Sequence, residues 1–297
     1  MSDRDDRAVS TVVDISLFLL LVGVAVLTLL QAPTATHDPA PDRAHEIATV
    51  LASSTAEVES TAEPNESTAE PNESPKRPVH GTRASLLADA AVRNATVDGN
   101  TKEPTAIAPD DEFETAVVAE IQPTLAGSNW RAEVVVEWRP YPDAHLDGQF
   151  RLGHHPPPDA DVSIARTTVG SGVSNATAEA RAATANGDGD GYDAVADVAA
   201  GAIVEGLFPP ERTRAALEDS DRRNRTVDRY RAAGDAYEID LETPAARGEV
   251  EHANRKLREE MAGRMAADLR ETFDSPEDAA DALQMETVRV TVRTWSP

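Results

Sequence analysis

Apolar residues follow three successive patterns along the chain: a long run near the N-terminus that one acid, Asp14, interrupts, then a stretch with very few, and then periodic spacing from about Arg83 onward. The run, residues 9–30, reads VSTVVDISLFLLLVGVAVLTLL and carries no charge from Ile15 until His37. About 20 apolar residues, each rising about 1.5 Å, span the hydrocarbon of a bilayer. The pattern predicts a transmembrane helix over residues 9–30, after a charged leader over residues 1–8.

The charges beside this run predict its orientation. Arg4 and Arg7 precede it, and no Lys or Arg follows until Arg43. Because basic residues stay on the cytoplasmic side of a membrane, we expect a single-pass protein of the cell membrane with a cytoplasmic N-terminus and an extracellular C-terminal domain. A cleaved secretory signal stays open as an alternative, with Gln31-Ala32 as a weak cleavage sequence.

Residues 31–82 form the second pattern, which is rich in Ala, Thr, Ser, Pro and Glu. The heptapeptide TAEPNES occurs twice in tandem, from Thr61 to Ser67 and from Thr68 to Ser74. Such a composition buries too little apolar surface to offset the entropy of the chain, and the repeat lacks the apolar a and d positions of a coiled coil. We therefore expect a low-complexity, flexible stalk, with a short helix around Arg43 to Ser53.

Five asparagines lie in N-x-S or N-x-T sequons, two of them inside the stalk repeat. The motif marks candidate N-glycosylation sites if the segment reaches an outer compartment. Chance occurrence in a chain rich in Asn, Ala and Thr is the alternative. The five are Asn65, Asn72, Asn94, Asn175 and Asn224.

The third pattern, over residues 83–297, contains several stretches with helical spacing of apolar residues. Thr243-Pro244 has the Thr and Pro that favour a helix start, and an apolar stripe follows it from Val250 to Phe273. Ser275-Pro276 begins a shorter helix by the same reasoning. Other helices are predicted over Asp110 to Leu125, Tyr192 to Phe208 and Glu211 to Asp219.

Strict alternation of apolar and polar residues predicts strands near both ends of this domain. From Trp130 to Trp138 every second residue is apolar, and Val288, Val290 and Val292 alternate with Arg289, Thr291 and Arg293. Shorter strands are expected over Phe150–Leu152 and Val162–Thr168. Strands at both ends with helices between them predict an α+β domain with a small antiparallel or mixed sheet.

Charge narrows the classes of function. The chain has 53 acidic and 28 basic residues among 297, a formal net charge of −25, and only three lysines. This balance argues against a nucleic-acid partner, because phosphate neutralisation needs a basic face. A composition rich in Asp, Glu and Ala but poor in Lys resembles that of proteins from salt-loving archaea. The chain has no cysteine, which excludes disulfides, thiolate zinc sites and Cys nucleophiles.

The segment RAVSTVVDISLFLLL resembles the N-terminus of archaeal type IV pilins and pilin-like proteins. In that family a charged leader is removed before a retained hydrophobic helix, which implies cleavage between Ala8 and Val9 here. The resemblance also implies that Asp14, an acid near the membrane, meets the terminal amine of a neighbouring subunit. Simple hydration of Asp14 among lipid headgroups is the alternative. The resemblance covers about residues 4 to 30 and leaves the outer domain unassigned.

The best candidate metal site is the segment NGDGDGYDAVAD, which fits the pattern of an EF-hand-type calcium loop. The chemistry needs a sharp turn and several oxygen ligands, but the first and last positions depart from the usual Asp and Glu, and no helix is expected before the loop. An ordinary Gly/Asp loop leading into a helix is the alternative. The candidate ligands are Asn186, Asp188, Asp190, the carbonyl of Tyr192, and Asp197.

No catalytic motif appears in the sequence, and adjacent histidines such as His154 and His155 point to opposite sides of an extended segment. We predict a non-enzymatic, membrane-anchored cell-surface protein without a cofactor, and its predicted role is that of a pilin-like or pilus-associated subunit. The alternative is a single-pass envelope protein with a partner-binding outer domain and no pilus role. The predicted partners are the lipid bilayer and pilus or other envelope proteins.

Overall fold

The computed structural model describes residues 43–60, 77–97, 106–126, 130–186 and 190–297. Its helices are α1 (Arg43–Ser53), α2 (Arg83–Arg93), α3 (Asp111–Ile121), α4 (Thr177–Asn186), α5 (Tyr192–Leu207), α6 (Pro210–Glu218), α7 (Ser220–Tyr237), α8 (Glu242–Ala246), α9 (Val250–Thr272) and α10 (Pro276–Asp281). Its strands are β1 (Thr55–Ser60), β2 (Arg77–Thr82), β3 (Ala95–Val97), β4 (Arg131–Trp138), β5 (Leu146–Gly153), β6 (Ser163–Gly170) and β7 (Thr287–Trp295). All of them belong to one unit, residues 43–297.

Five antiparallel strands form the central sheet in the order β3-β5-β4-β7-β6. The predicted alternation is confirmed: Val134 and Val136 pair with Val292 and Val290, and all four side chains are fully buried. The helices α1 and α2 pack against this sheet. The indole nitrogen of Trp138 donates to the carbonyl of Met285, 2.8 Å away, which joins the end of β4 to the segment that leads into β7.

The second layer of the domain is helical and is built around the antiparallel partners α5 and α9, which make extensive contact with each other. The predicted apolar stripe of α9 is confirmed, because Leu257, Met261, Met265 and Leu269 are all fully buried. The start of this helix was predicted wrongly. Residues 242–246 form the separate helix α8, and Gly248, with φ 78°, lies in the left-handed turn before α9.

The predicted fold class needs correction in two of its parts. It included a transmembrane helix over residues 9–30, which lie outside the described residues. In the part of the chain that the structure describes, no helix has both the length and the apolar character needed to cross a bilayer. It also included a flexible stalk over residues 31–82, yet residues 43–60 and 77–82 form α1 and the hairpin β1–β2. The α+β character of the domain agrees with the structure.

The described half of the former stalk folds because it does carry apolar residues at helical spacing. Ala44, Ile47, Ala48 and Leu51 of α1 are buried, and Val58 of β1 is buried against the same core. The predicted short helix around Arg43 to Ser53 is confirmed as α1, whereas the hairpin β1–β2 was missed because the polar composition of the whole stretch dilutes its few apolar residues. Residues 61–76, which contain both copies of TAEPNES, lie outside the described part.

Candidate functional site

A cavity of about 890 Å³ lies where α7 meets α2, the start of α3 and the junction between α5 and α6. The β2 strand and the turn after β6 complete its walls. Ligand pockets usually have volumes of about 300–1,000 Å³, so this cavity has the size of a small-molecule site.

The charge of the cavity wall differs from that of the chain. Five arginines and five carboxylates line it, whereas acidic residues outnumber basic ones by 53 to 28 in the sequence. The wall therefore concentrates guanidinium groups in a strongly acidic protein. The arginines are Arg93, Arg212, Arg222, Arg225 and Arg229, and the carboxylates are Asp89, Asp110, Asp111, Glu112 and Asp228.

Arg93 shows how most of these arginines are neutralised. Its NH2 nitrogen lies 2.9 Å from Asp89 and its NH1 nitrogen 3.2 Å from Asp110, and its guanidinium lies over the ring of Phe113. The other oxygen of Asp110 caps α3 by accepting from the backbone N–H of Phe113. This part of the wall is thus an ion-pair network, and one of its carboxylates also caps the N-terminus of α3.

Arg229 is different, because it has no carboxylate within 4.0 Å among the described residues. Its NH2 nitrogen donates to the carbonyl of Leu207 at 3.0 Å, its guanidinium lies 5.2 Å from the ring centre of Phe208, and its Nε atom is buried with no hydrogen-bond partner. Burial, and then the nearby Arg93, lower the pKa of Arg229 from 12.5 to about 10, while Asp110 and Asp89 act in the opposite direction.

The consequence is a charged group that lacks a counter-ion. A pKa of about 10 leaves Arg229 protonated at neutral pH. Arg229 is half-buried, and a cation partly removed from water is costly unless it is paired and hydrogen-bonded; the buried, unsatisfied Nε hydrogen adds to that cost. An anionic ligand in the cavity would supply both the charge and the acceptor that the protein leaves out.

The position of Arg229 is fixed by the neighbouring Tyr230. The ring of Tyr230 stacks on Phe208 with a centroid distance of 4.4 Å, and its hydroxyl donates to Asn254 Oδ1 at 2.6 Å. Asn254 in turn donates through Nδ2 to the carbonyl of Phe208 at 2.8 Å. This chain of contacts holds α7 against the end of α5 and against α9, so that Arg229 lines the cavity.

The first turn of α6 also lines the cavity, and it adds a second source of positive potential. Pro209 is its N-cap and provides no side-chain acceptor, and Pro210, Glu211 and Arg212 follow. The N-terminus of a helix carries a partial positive charge and unpaired backbone N–H groups. Together with Arg229, this turn contributes positive potential to this part of the wall, and Glu211 in the same turn opposes it.

The candidate calcium loop is described only in part. Asn186 ends α4, Asp188 lies outside the described residues, and Asp190 and Asp197 bind different arginines: Asp190 Oδ2 lies 2.6 Å from Arg270, and Asp197 forms a two-bond pair with Arg258. No group of three acidic or histidine side chains suited to a metal occurs within the described ranges. The calcium site stays a prediction, although a helix, α4, does precede the loop, contrary to expectation.

The remaining candidate sites fall into two groups. Ala8, Val9, Asp14, Asn65 and Asn72 lie outside the described residues. Of the other sequons, Asn94 is half-buried at the end of α2 and hydrogen-bonds Glu114. Asn175 is exposed and donates to Glu286 at 3.0 Å, and Asn224 is exposed on α7. Asn175 and Asn224, which are exposed, therefore remain predicted glycosylation sites.

A polar cluster around His145, mostly buried, was not predicted from the sequence. One oxygen of Asp268 lies 2.5 Å from His145 Nδ1, and it also accepts from the hydroxyl of Tyr141 at 3.1 Å. The hydroxyl of Tyr237 lies 3.5 Å from the other ring nitrogen. Burial, and then Asp268, raise the pKa of Tyr141 well above its usual range. These residues are far apart in sequence, so no local motif could reveal them. They tie α9 to the loop before β5.

The His154-His155 pair lies in a loop, as expected. His155 Nδ1 lies 3.2 Å from Glu133 Oε1, and its side chain is 71% exposed.

No sequence motif indicated the cavity or its arginines, because the cavity walls come from seven separate segments.

These features define an α+β domain with an arginine-lined cavity. Residues 13–295 match the model of a family of unknown function, DUF7284, so the chain belongs to that family. No curated protein and no solved structure matches the chain.

Proposed function

We propose that residues 43–297 form a binding domain for a small ligand that carries a carboxylate, phosphate or sulfate group. The observation that carries this proposal is Arg229, a cation in the cavity wall with a buried, unsatisfied Nε hydrogen and no paired carboxylate among the described residues. Guanidinium groups bind such anions through planar, charge-assisted hydrogen bonds.

The rest of the wall restricts the ligand. Five carboxylates share the cavity with the arginines, and they would repel a highly charged polyanion. The volume admits a molecule of metabolite size, and Val92, Val173, Leu207 and Phe208 offer apolar surface. We therefore infer a ligand with one anionic group at Arg229 and a neutral or hydrogen-bond-donating remainder.

The test compares thermal unfolding in sodium sulfate, phosphate or acetate with unfolding in sodium chloride at equal ionic strength. A ligand that binds only the folded state raises the midpoint by mass action. We expect at least one of the three probe anions to raise the midpoint of the wild type clearly more than that of Arg229→Met, whose remaining shift is the general effect of the salt. The exposed Arg247→Met serves as a matched control, and it keeps the wild-type response.

Two results would overturn the proposal. Equal responses of the wild type and Arg229→Met would show a general salt effect, and absence of any response to the three anions would show that Arg229 is not an anion site. Met keeps the unbranched apolar stem of the arginine and removes its charge. The circular dichroism spectrum of the variant checks that it folds.

The role at the cell surface stays a separate proposal. A pilin-like or pilus-associated role is supported by the sequence of residues 4 to 30, and an envelope protein with a partner-binding domain is the alternative. The cavity fits either role. N-terminal sequencing of the protein from its native cells distinguishes them: a chain that begins at Val9 supports the pilin-like role, and one that begins at Met1 or Ser2 contradicts it.

A further inference from the structure

A second group of arginines lies on the opposite side of the central sheet from the core valines. Strand alternation places the side chains of this face on β4, β5, β6 and β7, and most of them are exposed. Five arginines stand against three carboxylates there, the reverse of the balance in the chain. The arginines are Arg131, Arg151, Arg166, Arg289 and Arg293, and the carboxylates are Glu133, Glu137 and Asp147. We call this surface the arginine face.

The register spreads these charges over the face. Arg151, Val135, Thr291 and Arg166 lie in one row across β5, β4, β7 and β6. With about 4.8 Å between strands, the backbones of Arg151 and Arg166 are about 14 Å apart. Arg289 and Arg293 are four residues apart on β7, which is again about 14 Å. The positive groups therefore form a two-dimensional array.

One buried carboxylate organises the array without neutralising it. Glu133 is 3% exposed, and its oxygens lie 3.1 Å from Arg293 and 3.2 Å from His155, with Arg151 at 4.0 Å. Arg166 and Arg289, by contrast, have no carboxylate oxygen within 4.0 Å among the described residues. This holds for Arg289 although Glu137 is its cross-strand neighbour. Two exposed guanidinium groups are thus available to an outside partner.

We propose that the arginine face docks an acidic polysaccharide, a linear polymer with carboxylate or sulfate groups at intervals along an extended chain. Charge complementarity carries the proposal: this is a net basic surface on a chain of net charge −25. Screening in physiological salt limits electrostatic forces to about 8 Å, so a docked polymer interacts with the face and little with the acidic remainder. The array offers several weak, separated contacts, which suits a flexible polymer.

Two other classes of partner fit the face less well. Single-stranded nucleic acids stack their bases on exposed aromatic rings, but the tryptophan of this face, Trp295, is only 5% exposed. Protein interfaces centre on large side chains that fill pockets, whereas the only large apolar residue exposed on the described part of this face is Ile164, at 46%.

The test uses the folded protein and fluorescently labelled polygalacturonate, with neutral dextran of equal length as the comparison polymer. We expect the wild type to bind polygalacturonate and not dextran, with an affinity that falls as salt rises. Arg166→Glu combined with Arg289→Glu reduces the affinity at least tenfold. Arg247→Glu combined with Arg255→Glu makes the same change of net charge on exposed residues elsewhere, and it reduces the affinity less than twofold.

Several outcomes would overturn the proposal: equal losses in the two double variants, no loss in either, no binding by the wild type, or equally tight binding of single-stranded DNA or poly-glutamate. A second measurement needs no variant. Phenylglyoxal modifies accessible arginines, and bound polygalacturonate protects Arg166 and Arg289 from it while Arg247 reacts as before. Unchanged modification of Arg166 and Arg289 would contradict docking at this face.

Discussion

Arginines gather in two regions of this acidic chain, the cavity beside α7 and the arginine face of the sheet, and their surroundings make them physically different. In the cavity, Arg229 is half-buried, its Nε atom is closed off from water, and no carboxylate lies within 4.0 Å of it in the described part of the chain, which lowers its pKa and makes its charge costly. On the sheet, Arg166 and Arg289 remain in water, where an unpaired charge costs little. A half-buried arginine can bind a ligand through direct hydrogen bonds, whereas exposed arginines act through an electrostatic field of short range.

The largest effect is expected where an ion pair and a helix cap coincide in the cavity wall. Asp110→Ala removes the cap of α3 and one of the two carboxylates that pair with Arg93, which keeps Asp89. A lost cap costs about 1 kcal/mol, and the loss of one charge-assisted hydrogen bond in this partly buried network adds a similar amount. We expect the free energy of unfolding, measured by urea titration, to fall by about 2–3 kcal/mol.

Asp110→Asn is the matched control, because asparagine caps helices as well as aspartate does. It keeps the cap and removes only the charge, so its loss of stability is smaller than that of Asp110→Ala. It also removes a negative charge that acts on Arg229, and we expect it to strengthen the stabilisation by the probe anion. Equal stability of the two variants would show that Asp110 does not act as a cap.

On the sheet, the corresponding test is Glu133→Gln. The substitution keeps the shape of a buried side chain but removes the charge shared by Arg293 and His155. Because Arg293 is one-third exposed, water compensates part of the loss, and we expect a fall of about 1–2 kcal/mol in urea titration. A loss as large as that of Asp110→Ala would contradict the view that solvent screens the arginine face.

These two regions also show what a sequence can predict. The strand β7 and the stripe of α9 were predicted because long runs of apolar residues kept the period of one element. Helix α7 was missed, although Thr226, Tyr230, Ala233 and Tyr237 are buried on one side of it. Only three of these four side chains are apolar, and the surrounding sequence, SDRRNRTVDRYRAAGDAY, is charged enough to hide the stripe.

The two candidate sites differ in the same respect. The alternation in β4 and β7 indicated which side chains share a face, so that the positions of Arg289 and Arg293 on one side of β7 were predictable. The strand order that places them beside Arg151 and Arg166 was not. For the cavity, nothing local distinguishes Arg229 from its neighbours Arg225 and Arg231. Its isolation from carboxylates depends on how α7 packs against α5, which is a property of the folded chain.

The pKa of Arg229 predicts a smaller effect, at high pH. The folded-state pKa, about 10, lies below the ordinary value of 12.5, so the unfolded chain binds more protons between these two values. Stability therefore rises with pH in this window, by at most about 1.4 kcal/mol per pH unit. Below pH 10 the group is protonated in both states, and this contribution is constant.

The measurement compares urea titrations of the wild type and Arg229→Met from pH 9 to pH 11. Subtracting the free energy of unfolding of the variant from that of the wild type removes the contribution of the other titrating groups. We expect this difference in stability to increase as pH rises above 10. Saturating sulfate abolishes this gain if sulfate occupies the cavity, because a bound anion restores the pKa of Arg229. A difference in stability that stays constant from pH 9 to pH 11 would indicate that the pKa of Arg229 is not lowered by its surroundings.

The smallest effect on stability is expected on the arginine face. Arg166→Glu combined with Arg289→Glu changes two exposed side chains that have no ion-pair partner in the described part of the chain. No buried bond is lost and water hydrates the new carboxylates, but Arg289→Glu places a carboxylate directly opposite Glu137. The free energy of unfolding in urea should therefore fall by less than about 1 kcal/mol.

The same variant is expected to lose its affinity for polygalacturonate. Exposed arginines that change binding with little change in stability would differ from Arg229 in the cavity, whose half-buried charge is expected to affect both. A loss of stability clearly above about 1 kcal/mol would mean that these arginines take part in folding, and the distinction between the two regions would fail.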